Sequence, residues 1–227
     1  MVEKSFYLQL QTAMFPDIGG LYYIHKPPIN MNETFKIIDI FDKLKKEGKI
    51  LATGISVRGV GKPNVDVLNI EECETYIKSG RVDALQLIFS VLRQRMRAIF
   101  PMARKHGVAI IARTVLENGF LSGKYNIGHI FPDTDHRTRW PQLKLDTILN
   151  EAKYIYSMNN TPNKFKLSEI AIGFVQAEEE IDSMVLGVKT PLQVQETFLS
   201  PLKLKMPKEL YDQLVSAYSG RTDDFNI

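Results

Sequence analysis

The chain has 227 residues, 44% hydrophobic and 24% charged, which is ordinary for a globular protein and enough to bury a full core. Its 29 Lys and Arg stand against 26 Asp and Glu, an excess too small to imply nucleic-acid binding. The lone Cys73 excludes an internal disulfide framework, and no His or Cys spacing has the form of a metal site. The opening MVEKSFYLQLQ lacks the apolar core of a signal peptide, and no apolar run approaches the ~20 residues of a membrane span. A cytoplasmic, metal-free chain forming a single domain over residues 1–227 is therefore expected.

Residues 3–14 read as an amphipathic helix with Phe6, Leu10 and Met14 on one stripe, so the chain opens in a helix. The apolar run at 20–25 then ends in His25, and Pro27 and Pro28 block further pairing, as at the C-terminal lip of a buried strand. On that strand Tyr23 and His25 share a face by the period of two. Asn32 is placed to cap a helix carrying Phe35, Ile38, Phe41 and Leu44, which Gly48 ends. The run ILATGIS at 50–56 is a second strand, and a loop rich in Gly, Val and Asn leads to a helix near 70–79 stopped by Gly80.

The alternation continues with ALQLIF at 84–89, a basic helix over 93–105 stopped by His106 and Gly107, and VAIIAR at 108–113. Residues 116–139 read as a loop with several glycines and a charged DTDHRTR run. Helices over 142–157 and 167–178 follow, joined by NNTPN; SMVLGV at 183–188 is the last strand and TPLQVQETF opens another helix. Strands apolar on both faces that alternate with helices predict a parallel α/β fold covered by helices. Alternation alone does not separate an open doubly wound sheet from a barrel, although no GxGxxG follows any strand.

Polar residues stand at or near the C-terminal ends of these strands: His25, Ser56, Gln86 inside its run, Arg113, and Lys189 just past Gly187. In a parallel barrel such ends converge on one mouth. The sequence Thr190-Pro191-Leu192-Gln193 has the form of a capping box with proline at the first helical position, a helix start suited to a phosphate, and Lys189 adds a full charge before it.

The blocks LYYIHKP, LKKEGKILATGIS, VDALQLIFSVL, HGVAIIARTVLENGFLSGKY and VLGVKTPLQV, in this order and at these separations, resemble the aldo-keto reductase family. The resemblance runs from about Ser5 to near the C-terminus and is closest to the bacterial branch, which DHRTRW at 135–140 also suits. It implies a (β/α)8 TIM barrel that binds NADP in extended form across the strand ends, and a small-molecule carbonyl substrate. By the same resemblance His25 is the catalytic histidine, and Ser56 and Gln86 hold the nicotinamide carboxamide. Arg113 stands where most members stack a tyrosine under the nicotinamide, a place a guanidinium plane also suits. Leu116, Gly119, Leu121, Gly123 and Lys124 fall on the loop that follows the pyrophosphate. Lys189 with Gln193 falls near the adenosine 2′-phosphate, Gln195, Glu196 and Thr197 lie where the adenine is met, and Gly187 is a further cofactor-binding position. Two departures concern this cradle: Thr197 replaces the commoner asparagine, and Val57 replaces the asparagine that often follows the serine.

The resemblance also makes His25 part of the fourth barrel strand, so the chain is read as an incomplete barrel with about strands four to eight present. The three strands expected before it carry the family's catalytic aspartate, tyrosine and lysine. Tyr23 shares a face with His25 but, two residues deeper, is expected to fill the barrel interior. Two open sheet edges would then need cover, from a missing N-terminal segment, another chain or a homo-oligomer. The readings that follow are an NADP-dependent oxidoreductase moving hydride between nicotinamide and a carbonyl or alcohol, and a non-catalytic nucleotide-binding or regulatory remnant. Neither involves nucleic acid or a membrane. The substrate pocket would be built from the variable loops and the polar tail SGRTDDFNI, which is expected to be mobile.

Overall fold

A computed structural model describes residues 19–25, 27–28, 30–57, 65–160, 164–199 and 205–221. The helix expected over 3–14 and the end of the polar tail, 222–227, lie outside the described residues. Five strands, β1 (Gly19–His25), β2 (Ile50–Ser56), β3 (Ala84–Ile88), β4 (Ala109–Arg113) and β5 (Ser183–Met184), form one sheet in the order 1-2-3-4-5. Between them run α1 (Met31–Lys46), α2 (Val65–Lys78), α3 (Phe100–Lys105), and then α4 (Gln142–Ser157) with α5 (Leu167–Gln176). The short α6 (Pro191–Val194) and α7 (Lys208–Tyr218) follow β5.

β1 pairs with β2 and β2 with β3, both in parallel. Sheet neighbours are successive in sequence, with a helix in every connection. A doubly wound sheet would reverse its order at a switch point, so the singly wound order decides for the (β/α)8 TIM-barrel type, of which five strands are described.

The chain divides into two compact units. In the first, residues up to 88 with 96–111 and 180–183, the strands bury Ile24, Ile55, Leu85 and Leu87 against Ile38 and Phe41 of α1 and Tyr76 and Ile77 of α2. Asp83 ties the base of this sheet: its Oδ2 accepts from Thr53 N at 2.7 Å and Lys45 Nζ at 2.6 Å, while its own N–H donates to the Thr53 carbonyl at 2.8 Å. Gly54 is required by packing, because a Cβ there would stand 2.5 Å from Cδ1 of the buried Tyr23 ring. In the second unit, residues 89–95, 112–179 and from 184 on, Phe89 stacks on Phe174 at 6.1 Å, and Phe174 on Tyr211 of α7 at 5.3 Å.

Local chemistry moves several expected boundaries. The cap of α1 is Asn30, whose extended backbone lets its Oδ1 accept from Asn32 N at 3.0 Å; Asn32 itself lies inside the helix. The basic helix expected over 93–105 is a 3₁₀ turn, Arg95–Ile99, followed by α3. Pro101 explains the break, since it has no N–H to bond back into a preceding turn and is tolerated only at a helix start. α2 begins at Val65, earlier than expected, and α5 ends at Gln176. The last strand keeps only Ser183 and Met184 of SMVLGV. One further bond, Val185 N to the Ala112 carbonyl at 2.8 Å, ends the ladder, and Val185, Leu186 and Val188 line a cavity instead. α7 was not foreseen, although Leu210, Leu214 and Tyr218, all buried, recur at the helical spacing of four.

Candidate active site

Three predicted residues of the first unit form a row. His25 is the register partner of Ser56, and Ser56 of Gln86, so the C-terminal ends of β1 and β2 and the middle of β3 present them side by side. Ser56 is buried, and its Oγ donates to Gln86 Oε1 at 3.1 Å. The pair sets a hydroxyl and an amide side by side. Val57 N donates to the Gln86 carbonyl at 2.8 Å, which fixes the turn leaving β2. Tyr23, two residues down the strand from His25, is buried; its hydroxyl has no partner among the described residues, and burial pushes the phenol up to about 12.

The second unit holds a cavity of about 470 Å³. Eight predicted residues line it: Leu116, Gly119 and Lys124 from the loop after β4, and Gly187, Lys189, Gln193, Glu196 and Thr197 around α6. Leu121 does not line it; its side chain is fully buried in the core of the unit. Gly123, in the left-handed region at φ 79°, closes the 3₁₀ turn Glu117–Ser122. Arg113 ends β4 half-buried, outside the cavity lining, and burial together with the nearby Arg93 charge holds its guanidinium below its ordinary value.

The capping geometry at α6 is as the sequence predicts for Thr190, whose Oγ1 accepts from Gln193 N at 3.2 Å. The Gln193 carboxamide oxygen in turn accepts from Lys189 N at 2.6 Å, so this side chain holds the loop before the helix. Among the cavity's charges, Glu196 pairs with Lys166 at 3.2 Å. Lys124 and Lys189 have no acidic partner among the described residues.

Sequence reasoning passed over Arg137, which also lines the cavity. Its Nε donates to Asp135 Oδ1 at 2.8 Å, its Nη2 to Asp135 Oδ2 at 2.6 Å and its Nη1 to the Asn118 carbonyl at 3.1 Å. These bonds hold the Asp135 carboxyl well below the usual carboxylate range. A carboxyl depressed in the folded state stabilises the fold above its unfolded value of about 4, and that stability is lost as pH falls through the folded value. Asp135→Asn should therefore be less stable than the wild type near neutrality, with the gap closing below about pH 4, in urea titrations run at a series of pH values.

A second missed group is Glu117, outside the cavity lining. Glu117 is fully buried; its carboxylate accepts from Ser90 Oγ and from Arg93, whose Nε lies 3.1 Å from Oε2. The pairing of residues this far apart in sequence leaves no local signal.

The aldo/keto reductase family pattern matches residues 1–219. The uncharacterized oxidoreductase YqkF of Bacillus subtilis is 23% identical over 200 residues, 87% of this chain and 60% of that protein. The aldo-keto reductase yakc of Schizosaccharomyces pombe, named with NADP(+), is 22% identical over 212 residues, 90% of this chain and 58% of its own length. Among solved structures, the holo form of aldo-keto reductase AKR11C1 from Bacillus halodurans superposes with TM-score 0.64 at 21% identity, covering 92% of this chain and 64% of that one. The glycerol dehydrogenase AKR11B4 of Gluconobacter oxydans gives 0.61 at 20% identity, covering 92% and 62%. The chain thus spans about three-fifths of the length of the curated relatives it matches. Since the family pattern covers all but the last few residues and the likeness to solved structures extends it to the fold, the chain belongs to the aldo/keto reductase family.

Proposed function

We propose that the chain serves NADP-dependent oxidoreduction of aldo-keto reductase type, between a carbonyl and an alcohol. The observation that carries this reading is the cavity beside α6, lined by eight of the residues expected to meet a dinucleotide, the unmatched Lys124 and Lys189 among them. The donor set fits a phosphate-bearing ligand. Glu196 and Arg137 are matched by Lys166 and Asp135, which leaves Lys124 and Lys189 as the net charge facing the ligand.

In this reading Lys189 and Lys124 meet phosphate oxygens, and the backbone before α6, held by Gln193, keeps Lys189 in place. Ser56 and Gln86 hold a carboxamide through their hydroxyl and amide. His25 donates a hydrogen bond to the substrate carbonyl and polarises it. NADP, when bound, supplies the hydride chemistry that no side chain can.

Titration of the chain with NADPH, followed by its fluorescence, tests binding; loss of NADPH absorbance with a generic aldehyde tests turnover. Lys189→Met should weaken NADPH binding by about tenfold, the loss of one charge-assisted contact, and should flatten its dependence on salt. Absence of binding to the wild type overturns the proposal. A second reading, nucleotide binding without turnover, is favoured by Tyr23: the tyrosine on the strand face of His25 is buried, and its hydroxyl is a weak acid. Binding without aldehyde reduction selects that reading.

A further inference from the structure

We infer that Arg137 is a positioning residue: seated on Asp135, it fixes the Asn118–Gly119 turn that forms one wall of the cavity. The inference rests on the nucleotide reading only for the identity of the ligand.

Asn118 and Gly119 are successive left-handed residues, at φ 54° and 93°. Asparagine tolerates that conformation better than other residues with a side chain, but at a cost relative to glycine, so a contact that holds it there matters. What holds it is the guanidinium: Arg137 is 8% exposed, and its Nη1 donates to the Asn118 carbonyl at 3.1 Å. A Cβ at position 119 would stand 3.3 Å from that same Nη1. The guanidinium is itself immobilised. Its two other donors grip both Asp135 oxygens, and its carbon lies 4.0 Å from the centre of the Phe131 ring and 4.8 Å from that of Tyr125. Asp135 also accepts from Arg137 N at 3.0 Å, so the brace is anchored by backbone as well as side chain.

The charge of Arg137 is already matched by Asp135, so its role is geometric rather than that of a phosphate clamp. It keeps the wall formed by Asn118, Gly119 and Tyr125 in one arrangement before a ligand arrives, and a wall ordered in advance need not be ordered on binding. Lysine cannot replace it, because one ammonium cannot grip two carboxylate oxygens and reach the Asn118 carbonyl in the fork geometry.

The test uses the full chain as wild type, Arg137→Lys and Asp135→Asn. Amide hydrogen exchange is read over residues 117–123 without ligand, and NADPH is then titrated. In Arg137→Lys these amides should exchange about tenfold faster while those of α4 and α5 are unchanged, and NADPH should bind about tenfold more weakly. Asp135→Asn, which keeps the shape and loses the charge, should fall between. Exchange unchanged in both variants, or raised equally throughout the unit, would overturn the inference. So would an NADPH affinity that stays the same in a variant whose turn has loosened. If the wild type binds no NADPH while the selective exchange result holds, the nucleotide reading falls and the positioning role stands.

Discussion

Glu117→Gln is expected to lower the unfolding free energy by about 3–5 kcal/mol, the range for removing one partner of a buried ion pair. Arg93 and Glu117 are 3% and 0% exposed, and the Arg93 fork and the Ser90 hydroxyl both spend their donors on the one carboxylate. An amide leaves the guanidinium charged in a site that water cannot reach. The loop that carries this carboxylate is strained: Glu117 lies at φ 47°, and its N–H donates at 2.8 Å to the carbonyl of the β-branched Thr114, at φ 65°. In urea the midpoint should fall with the slope unchanged. Replacing both partners, Arg93→Met with Glu117→Leu, should recover most of the loss, because no charge is then stranded. A midpoint within about 1 kcal/mol of the wild type for Glu117→Gln would show that Arg93 finds solvent or another partner.

Gly54→Ala is expected to destabilise by about 1–3 kcal/mol, through overpacking alone. The added methyl would stand 2.5 Å from both Cδ1 and Cε1 of Tyr23, and that ring, 4% exposed, has no open direction to move in. β1 and β2 must therefore part where Tyr23 pairs with Gly54, and two residues further along the same ladder pairs His25 with Ser56. The variant should bind NADPH less well than its stability alone requires. Combining it with Tyr23→Leu should destabilise less than the sum of the two single changes, and strict additivity in urea would rule out the steric account.

Much of the fold was legible because its strands are buried on both faces. ILATGIS, ALQLI and AIIAR announce themselves as short apolar runs between helices, and β2, β3 and β4 occupy them. α4 runs over 142–157 as read, starting directly after Pro141 and ending before NNTPN. SMVLGV misled because an apolar run predicts burial without saying against what; Val185, Leu186 and Val188 meet a cavity rather than prolonging β5. The cap of α1 falls two residues before Asn32 because Asn30 has the extended backbone that lets its side chain accept from Asn32 N, which residue type alone does not show. Of the candidate site, residues adjacent to a glycine, a proline or a strand end could be picked out. Arg137 was hidden inside a charged run that reads as a solvated loop, and Glu117 within LENGF, because the partners that give each its meaning are brought in by the fold.

The singly wound order of the sheet bears on how the molecule is made. Each partner strand along β1, β2 and β3 lies only about thirty residues from its neighbour in the chain, so every new strand emerging from a ribosome finds its mate already synthesised. Assembly of β1, β2 and β3 can then advance strand by strand, loop closure at each of these two steps involving a similar length of polypeptide, whereas β5 must close on β4 over a connection that contains both α4 and α5.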